Sequence, residues 1–113
     1  MRQFLEITIP TTINTREYVA MPPKAQGTTA IHISGKWGSA EDLKVQHASD
    51  PRVDQDVWTD VSGNVTGNGT TWVKGTKDVP SEAMYVAVYA VTAITVGSPP
   101  PRAWLIYDEQ APG

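Results

Sequence analysis

The longest apolar run of the chain, Met-Tyr-Val-Ala-Val-Tyr-Ala-Val-Thr-Ala-Ile from Met84 to Ile94, carries no charge and is apolar on both of its strand faces. Tyr and Val at this density favour a β-strand over a helix, because β-branched and aromatic side chains lose rotamer freedom against a helical turn. One face, Met84, Val86, Val88 and Ala90, can line a core. The other face, Tyr85, Ala87, Tyr89 and Val91, needs cover as well, since a half-solvated strand would alternate apolar with polar. A second layer or a neighbouring subunit is expected to supply it. Trp104-Leu105-Ile106-Tyr107 poses the same problem.

Shorter runs surround these two. Phe4 to Ile9 sets Phe4, Glu6 and Thr8 against Leu5, Ile7 and Ile9, and Pro10 stops it, which suits an edge strand. Arg16 to Met21 is a weaker strand ended by Pro22-Pro23, and Gln26-Gly27 turns the chain into a clearer one, Thr28 to Ser34, punctuated by Gly35-Lys36-Trp37-Gly38. Asp42 to Ala48 alternates, with Leu43, Val45 and His47 on one face and Lys44 and Gln46 on the other. Val57 to Val61 follows, then a Ser62-Gly63-Asn64 turn, then Thr71 to Lys74, with Gly75 to Val79 leading to Pro80. Pro80-Ser81-Glu82-Ala83 could open a helix with Ser81 as N-cap, but the Tyr and Val beyond it favour strand. Gly97-Ser98-Pro99-Pro100-Pro101 reads as an extended connector, because each proline removes a backbone donor. Seven or eight strands with regularly spaced turns predict an all-β fold, a single β-sandwich of jelly-roll or immunoglobulin-like type over residues 1–113. Periodicity leaves the connectivity open.

Composition narrows the function. A chain of 113 residues suits one domain, and nine Gly and nine Pro among Val-, Ile- and Thr-rich runs fit strands joined by tight turns. There is no cysteine, so neither a disulfide nor a thiolate nucleophile or ligand is available. The net charge of −3 is spread along the chain without a basic stripe, so direct nucleic-acid binding is not expected. Glu6 and Pro10 interrupt the N-terminal apolar residues as no secretory signal would, and no run approaches the about 20 apolar residues that cross a bilayer. The expectation is a product made in a cytoplasm, with no membrane partner.

No pattern in the chain calls for catalysis. Asp50, Asp54, Asp56 and Asp60 could offer oxygens to calcium, yet the glycine and closing Glu of an EF-hand are missing, and Arg52 makes a solvated turn the expected reading. His32 and His47 fall inside predicted strands without a third ligand at zinc spacing, which suggests core-edge or interface positions. There is no Gly-x-Ser-x-Gly elbow, and no helix follows Gly63, Gly67 and Gly69 to cradle a phosphate. No catalytic residue, cofactor or metal is therefore expected. Asn64-Val65-Thr66 and Asn68-Gly69-Thr70 match the glycosylation sequon but are read as turn residues. The four tryptophans, Trp37, Trp58, Trp72 and Trp104, are many for this length, and aromatic side chains on a sheet face bind sugars or bury against protein. Strict alternation sets Trp58 against Val57, Thr59 and Val61, so one side of that strand must turn an apolar group outward. Two tryptophans in the core and two at contacts is the expected division.

The order Ile31-His-Ile-Ser-Gly-Lys-Trp-Gly38, Leu43-Lys-Val-Gln-His-Ala-Ser-Asp50, Trp58-Thr-Asp-Val61 and Ala83-Met-Tyr-Val-Ala-Val88 resembles small tailed-phage virion proteins over roughly residues 30 to 107. In those proteins a Ser-Gly-Thr-Trp-Gly-like turn precedes a strand, a Ser-x-Asp-Gly loop leads into Trp-x-Asp-Val, and a Tyr-Val-Arg-Ala-like strand follows. This chain departs from the pattern in the Asp50 to Asp56 loop and at Ala87, where the family carries Arg. The resemblance implies a capsid decoration (cement) protein on the virion surface, made in a host bacterium, whose partners are the major capsid protein and itself, as a homotrimer first and a dimer second. Trp37, Trp58, Tyr85 and Tyr89 are the leading contact candidates, with Trp104 beside them and Pro99-Pro100-Pro101 as a semi-rigid arm. A neck, tail or fibre component, a carbohydrate-binding or adhesin module, and a small glycan hydrolase are the alternatives.

Overall fold

The computed structural model of the chain describes residues 1–61 and 63–109; Ser62, read above as a turn residue, lies outside them. Among the described residues there is no helix, and nine strands form: β1 (Arg2–Ile7), β2 (Arg16–Ala20), β3 (Ala25–Gly35), β4 (Asp42–Ala48), β5 (Thr59–Asp60), β6 (Val65–Thr66), β7 (Val73–Val79), β8 (Tyr85–Ala90) and β9 (Arg102–Glu109). Two antiparallel sheets result, one in the order β1-β9-β3-β7 and the other β2-β8-β4-β5, with β6 also on β4. They pack face to face as a β-sandwich.

The connectivity that periodicity leaves open is fixed by these pairings. With β5 and β6 taken as one interrupted strand, the first strand pairs with the last, the second with the one before it, the third with β7, and β4 with its successor. That nesting is a long hairpin rolled on itself, the jelly roll, and not the immunoglobulin arrangement. The count of nine exceeds the seven or eight expected because β6 lies in the Thr/Asn/Gly tract, where turn residues mask it. Val65 is buried there, and its side chain fills the space left by Gly75 on β7.

Period-2 alternation decides what meets in the middle. Ile7, Ile31, Ile33, Ala103 and Leu105 face inward from one sheet; Leu43, Val45, Val86, Val88 and Ala90 face them from the other. Pro80 to Ala83 is a turn closed by the Ala83 amide on the Pro80 carbonyl (3.1 Å), so the strand preference of the residues beyond it prevails.

Trp37 closes one end of the sandwich. It is 1% exposed, its Nε1 donates to the Glu41 carbonyl (2.9 Å), and its own carbonyl accepts from the Gly69 amide (2.9 Å). As a buried core residue it offers no surface to a partner, which corrects its reading as a contact residue. The proline connector is tied to the same corner: the Lys36 amide donates to the Pro99 carbonyl (3.0 Å), the Gly97 amide to the Lys36 carbonyl (2.9 Å) and the Gly38 amide to the Thr95 carbonyl (3.1 Å). Pro101 is buried, while Pro99 and Pro100 are exposed. The segment is thus a strap docked against Gly35 to Gly38 and not a projecting arm, because its carbonyls satisfy donors of that turn.

Candidate functional site

The register of the second sheet sets three rows pointing away from the core: Arg16, Tyr89 and Lys44; Tyr18, Ala87, Gln46 and Asp60; and Ala20, Tyr85 and Ala48. Ala87 belongs to this outer face and yet is 0% exposed. Its methyl group is small enough for larger neighbours to close over it, and they come from the same chain. Trp58 reaches back from the loop after β4, held by its Nε1 donating to the Val53 carbonyl (3.0 Å). Its ring centroid lies 5.7 Å from that of Tyr18, which in turn meets Tyr85 edge-on at 6.0 Å and 84°. The cover expected from a second layer or a neighbouring subunit comes, at this part of β8, from side chains of the same chain: Tyr18 beside Ala87 in the register, with the Trp58 ring against Tyr18 and Arg16.

Arg16 is the centre of this face. Its guanidinium carbon sits 4.8 Å from the Trp58 ring centroid and 5.2 Å from that of Tyr89, distances at which the ring quadrupole attracts a cation. Arg16 Nε donates to Gln46 Oε1 (2.7 Å), and Gln46 Nε2 donates to Asp60 Oδ1 (2.8 Å). The Gln46 amide is thus oriented by a cation at its oxygen and an anion at its nitrogen, which satisfies a polar side chain that is only 5% exposed. Lys44 Nζ completes the chain of charges with Asp60 Oδ2 (3.0 Å), while standing 4.9 Å from the Tyr89 ring, and the Tyr89 hydroxyl donates to Asn14 Oδ1 (3.0 Å).

The same network sets the titration of Asp60. Hydrogen bonds from the Gln46 amide and then from Lys44 hold its carboxyl below the ordinary aspartate range. A carboxylate whose pKa is lower in the folded than in the unfolded state contributes stability above the unfolded value and loses it as pH falls toward the folded one. The Asp60 contribution is therefore expected to fade below about pH 4, and to be small because the side chain is largely solvated. Acid titration of Asp60→Asn beside the parent checks this: the gap in stability between them should be present at neutral pH and shrink below that point. A gap that widens on acidification contradicts the network.

The structure brings together Trp58, Tyr85 and Tyr89 of the expected contact residues and separates the others. Trp104 lies half-buried on the outer face of the opposite sheet, with the Arg102 guanidinium 5.0 Å from its ring, and Trp72 is exposed on a loop. One tryptophan, Trp37, is in the core where two were expected, because the path of the loop after β4 turns Trp58 outward. Arg16, Tyr18, Lys44 and Gln46 were not singled out from the sequence as site residues, and Asp60, weighed there as a calcium ligand, instead accepts from Gln46 and Lys44. A signal for Tyr18 exists: Val19 and Met21 alternate inward, which leaves Tyr18 on the opposite face with Arg16.

Among the described residues no three His, Cys, Asp or Glu side chains converge to hold a metal ion. In the loop after β4, Asp50 is engaged by Arg52 through both side chain (2.9 and 2.5 Å) and amide (3.0 Å), contacts that lower its carboxyl to about 2. His32 lies on the outer face of the first sheet, with Nδ1 2.8 Å from Thr76 Oγ1. What the outer face of the second sheet presents is a patch of aromatic rings about the Arg16 cation. Compared with models of known protein families, with curated proteins and with solved structures, the chain matches none of them.

Proposed function

We propose that this chain is a non-enzymatic virion structural protein of a tailed phage, a capsid decoration protein that lays its Tyr18, Trp58, Tyr85 and Tyr89 face against the major capsid protein and stabilises the head. The observation that carries the reading is the clustering of these rings around Arg16 on one sheet face, with Tyr18 47% exposed. Tyr, Trp and Arg are the residue types that dominate binding energy at protein interfaces. Here they are held before any partner arrives, so little ordering entropy remains to be lost on docking. The segment Trp58-Thr-Asp-Val61, part of the resemblance to phage virion proteins, delivers both the Trp58 ring and the Asp60 carboxylate to this face. The protein is made in the host cytoplasm and acts on the capsid surface.

Alanine substitution tests the assignment on undecorated shells. Tyr18→Ala is expected to weaken occupancy about thirty-fold, the equivalent of about 2 kcal/mol, while Trp104→Ala on the opposite sheet binds like the parent. Trp58→Ala removes the ring packed against Tyr18 and Arg16 and needs a thermal melt beside it to separate binding from folding. Parent-like occupancy by a folded Tyr18→Ala, Tyr85→Ala and Tyr89→Ala set would remove this face from the proposal.

A second reading is favoured by the polar rim of the same patch. Asn14 and Lys44 stand beside the Tyr89 ring, with Asp60 paired to Lys44, the combination of stacking surface and hydrogen-bonding groups that a sugar ring uses. Tryptophan fluorescence titrated with glycans distinguishes the two: saturable quenching in a parent that ignores capsids and tails replaces the decoration reading with a carbohydrate-binding module.

A further inference from the structure

The other sheet ends in an edge whose chemistry is complementary to itself. β1 pairs with β9 on one side, and among the described residues no strand pairs with its other side. Phe4 on this edge is 64% exposed and Leu5 36%, on opposite faces of the strand. Free edges of this kind are normally blunted.

The backbone direction determines which residues can bond outward. Met1 and Glu109 exchange hydrogen bonds, Glu109 N to Met1 O at 2.8 Å and Met1 N to Glu109 O at 3.4 Å. In an antiparallel ladder such pairs alternate, so the odd residues of β1 bond to β9, and the amides and carbonyls of Arg2, Phe4 and Glu6 point to the open edge. The side chains of these same residues lie on the outer face of the sheet, in line with Asp108, Ile106 and Trp104 of β9.

We infer that β1 pairs antiparallel with β1 of a second copy of this chain, about a two-fold axis at Phe4. In that register Phe4 faces its own equivalent, Arg2 faces Glu6 of the other copy, and each of these residues donates and accepts through its outward backbone groups. Within one copy Arg2 already contacts Asp108 (3.6 Å), and Arg102 holds Glu6 in a bidentate pair (2.8 and 2.9 Å). Joining two edges therefore builds rows of alternating sign, Asp108, Arg2, then Glu6 and Arg102 of the second copy, on either side of an apolar row formed by Ala30, Ile106 and Phe4 and their equivalents. Shifting the axis to Gln3 or Leu5 sets Phe4 against Arg2 or Glu6 and breaks both matches. The contact is isologous, as a two-fold requires, and yields one continuous sheet across both subunits. It lies on the sheet opposite the aromatic face, so it neither uses nor depends on the docking reading above.

Sedimentation of the full chain at tens of micromolar, combined with residue-resolved amide exchange, tests the pairing. The parent is expected at twice the chain mass, with the Arg2, Phe4 and Glu6 amides exchanging as slowly as those of Gln3 and Leu5, which β9 protects in either state. Phe4→Pro removes an outward donor without touching the bonds to β9, and Phe4→Lys places like charges across the axis. Both should melt as folded proteins and associate at least tenfold more weakly. A monomeric or trimeric parent overturns the inference, as does a dimer in which those three amides exchange freely or in which both variants assemble like the parent.

Discussion

Replacing Trp37 with alanine is expected to remove about 3–5 kcal/mol of folding stability, the range for deleting a fully buried large aromatic side chain. Its indole is 1% exposed and donates through Nε1 to the Glu41 carbonyl four residues on, while the Trp37 backbone accepts from the Gly69 amide and bridges to Val96. Alanine keeps the backbone bonds in principle but leaves a void under two loops, and the Glu41 carbonyl loses its side-chain donor. Trp37→Phe separates these contributions, since it retains most of the ring volume while deleting the hydrogen bond, worth about 0.5–1.5 kcal/mol net. Denaturant midpoints for the two variants against the parent measure both. A loss of under about 1.5 kcal/mol for Trp37→Ala, below the usual range for such truncations, shows that the loops hold that corner without the indole.

How far the sequence carries can be seen in particular residues. β4 forms from Asp42 to Ala48 as its alternation predicts, because Leu43 and Val45 face one way and Lys44 the other, with no competing turn signal. The core contributions of Ile31, Ile33, Val86 and Val88 were equally legible, as period 2 decides which residues share a face. It does not decide what lies over that face. The second side of β8 looked like an unmet demand for a second layer or a neighbouring subunit, and Arg16, Tyr18 two residues on, and Trp58 gather on that side from positions distant from β8 in sequence. Alternation could set Trp58 against its neighbours, but the loop path that brings its ring against Tyr18 and Arg16 is a tertiary property. The jelly-roll connectivity is likewise a matter of long-range pairing, and β6 was hidden because Asn, Gly and Thr satisfy turn rules and strand pairing alike.

Gly35→Ala is the other large effect expected, and it bears on the strap of prolines. Gly35 has φ +143°, a conformation costly to any L side chain, and a Cβ there would stand 2.5 Å from the Pro100 carbonyl oxygen and 2.5 Å from Pro101 Cα. These are backbone atoms and cannot swing aside, so the strap itself must move. Strain at φ of this kind costs about 1–3 kcal/mol and overpacking a further 1–3, which together predict a loss of about 2–6 kcal/mol. The displacement has a local signature beyond stability. The Lys36 amide, bonded to the Pro99 carbonyl, and the Gly97 amide, bonded to the Lys36 carbonyl, should exchange faster with solvent in the variant. Gly27→Ala is the control, with φ +69° but open space where the Cβ would go, so it carries the backbone cost alone, about 1–2 kcal/mol. If Gly35→Ala costs no more than Gly27→Ala and leaves both amides protected, the prolines are not seated on Gly35, and the free arm suggested by three consecutive prolines becomes the better description of residues 99–101.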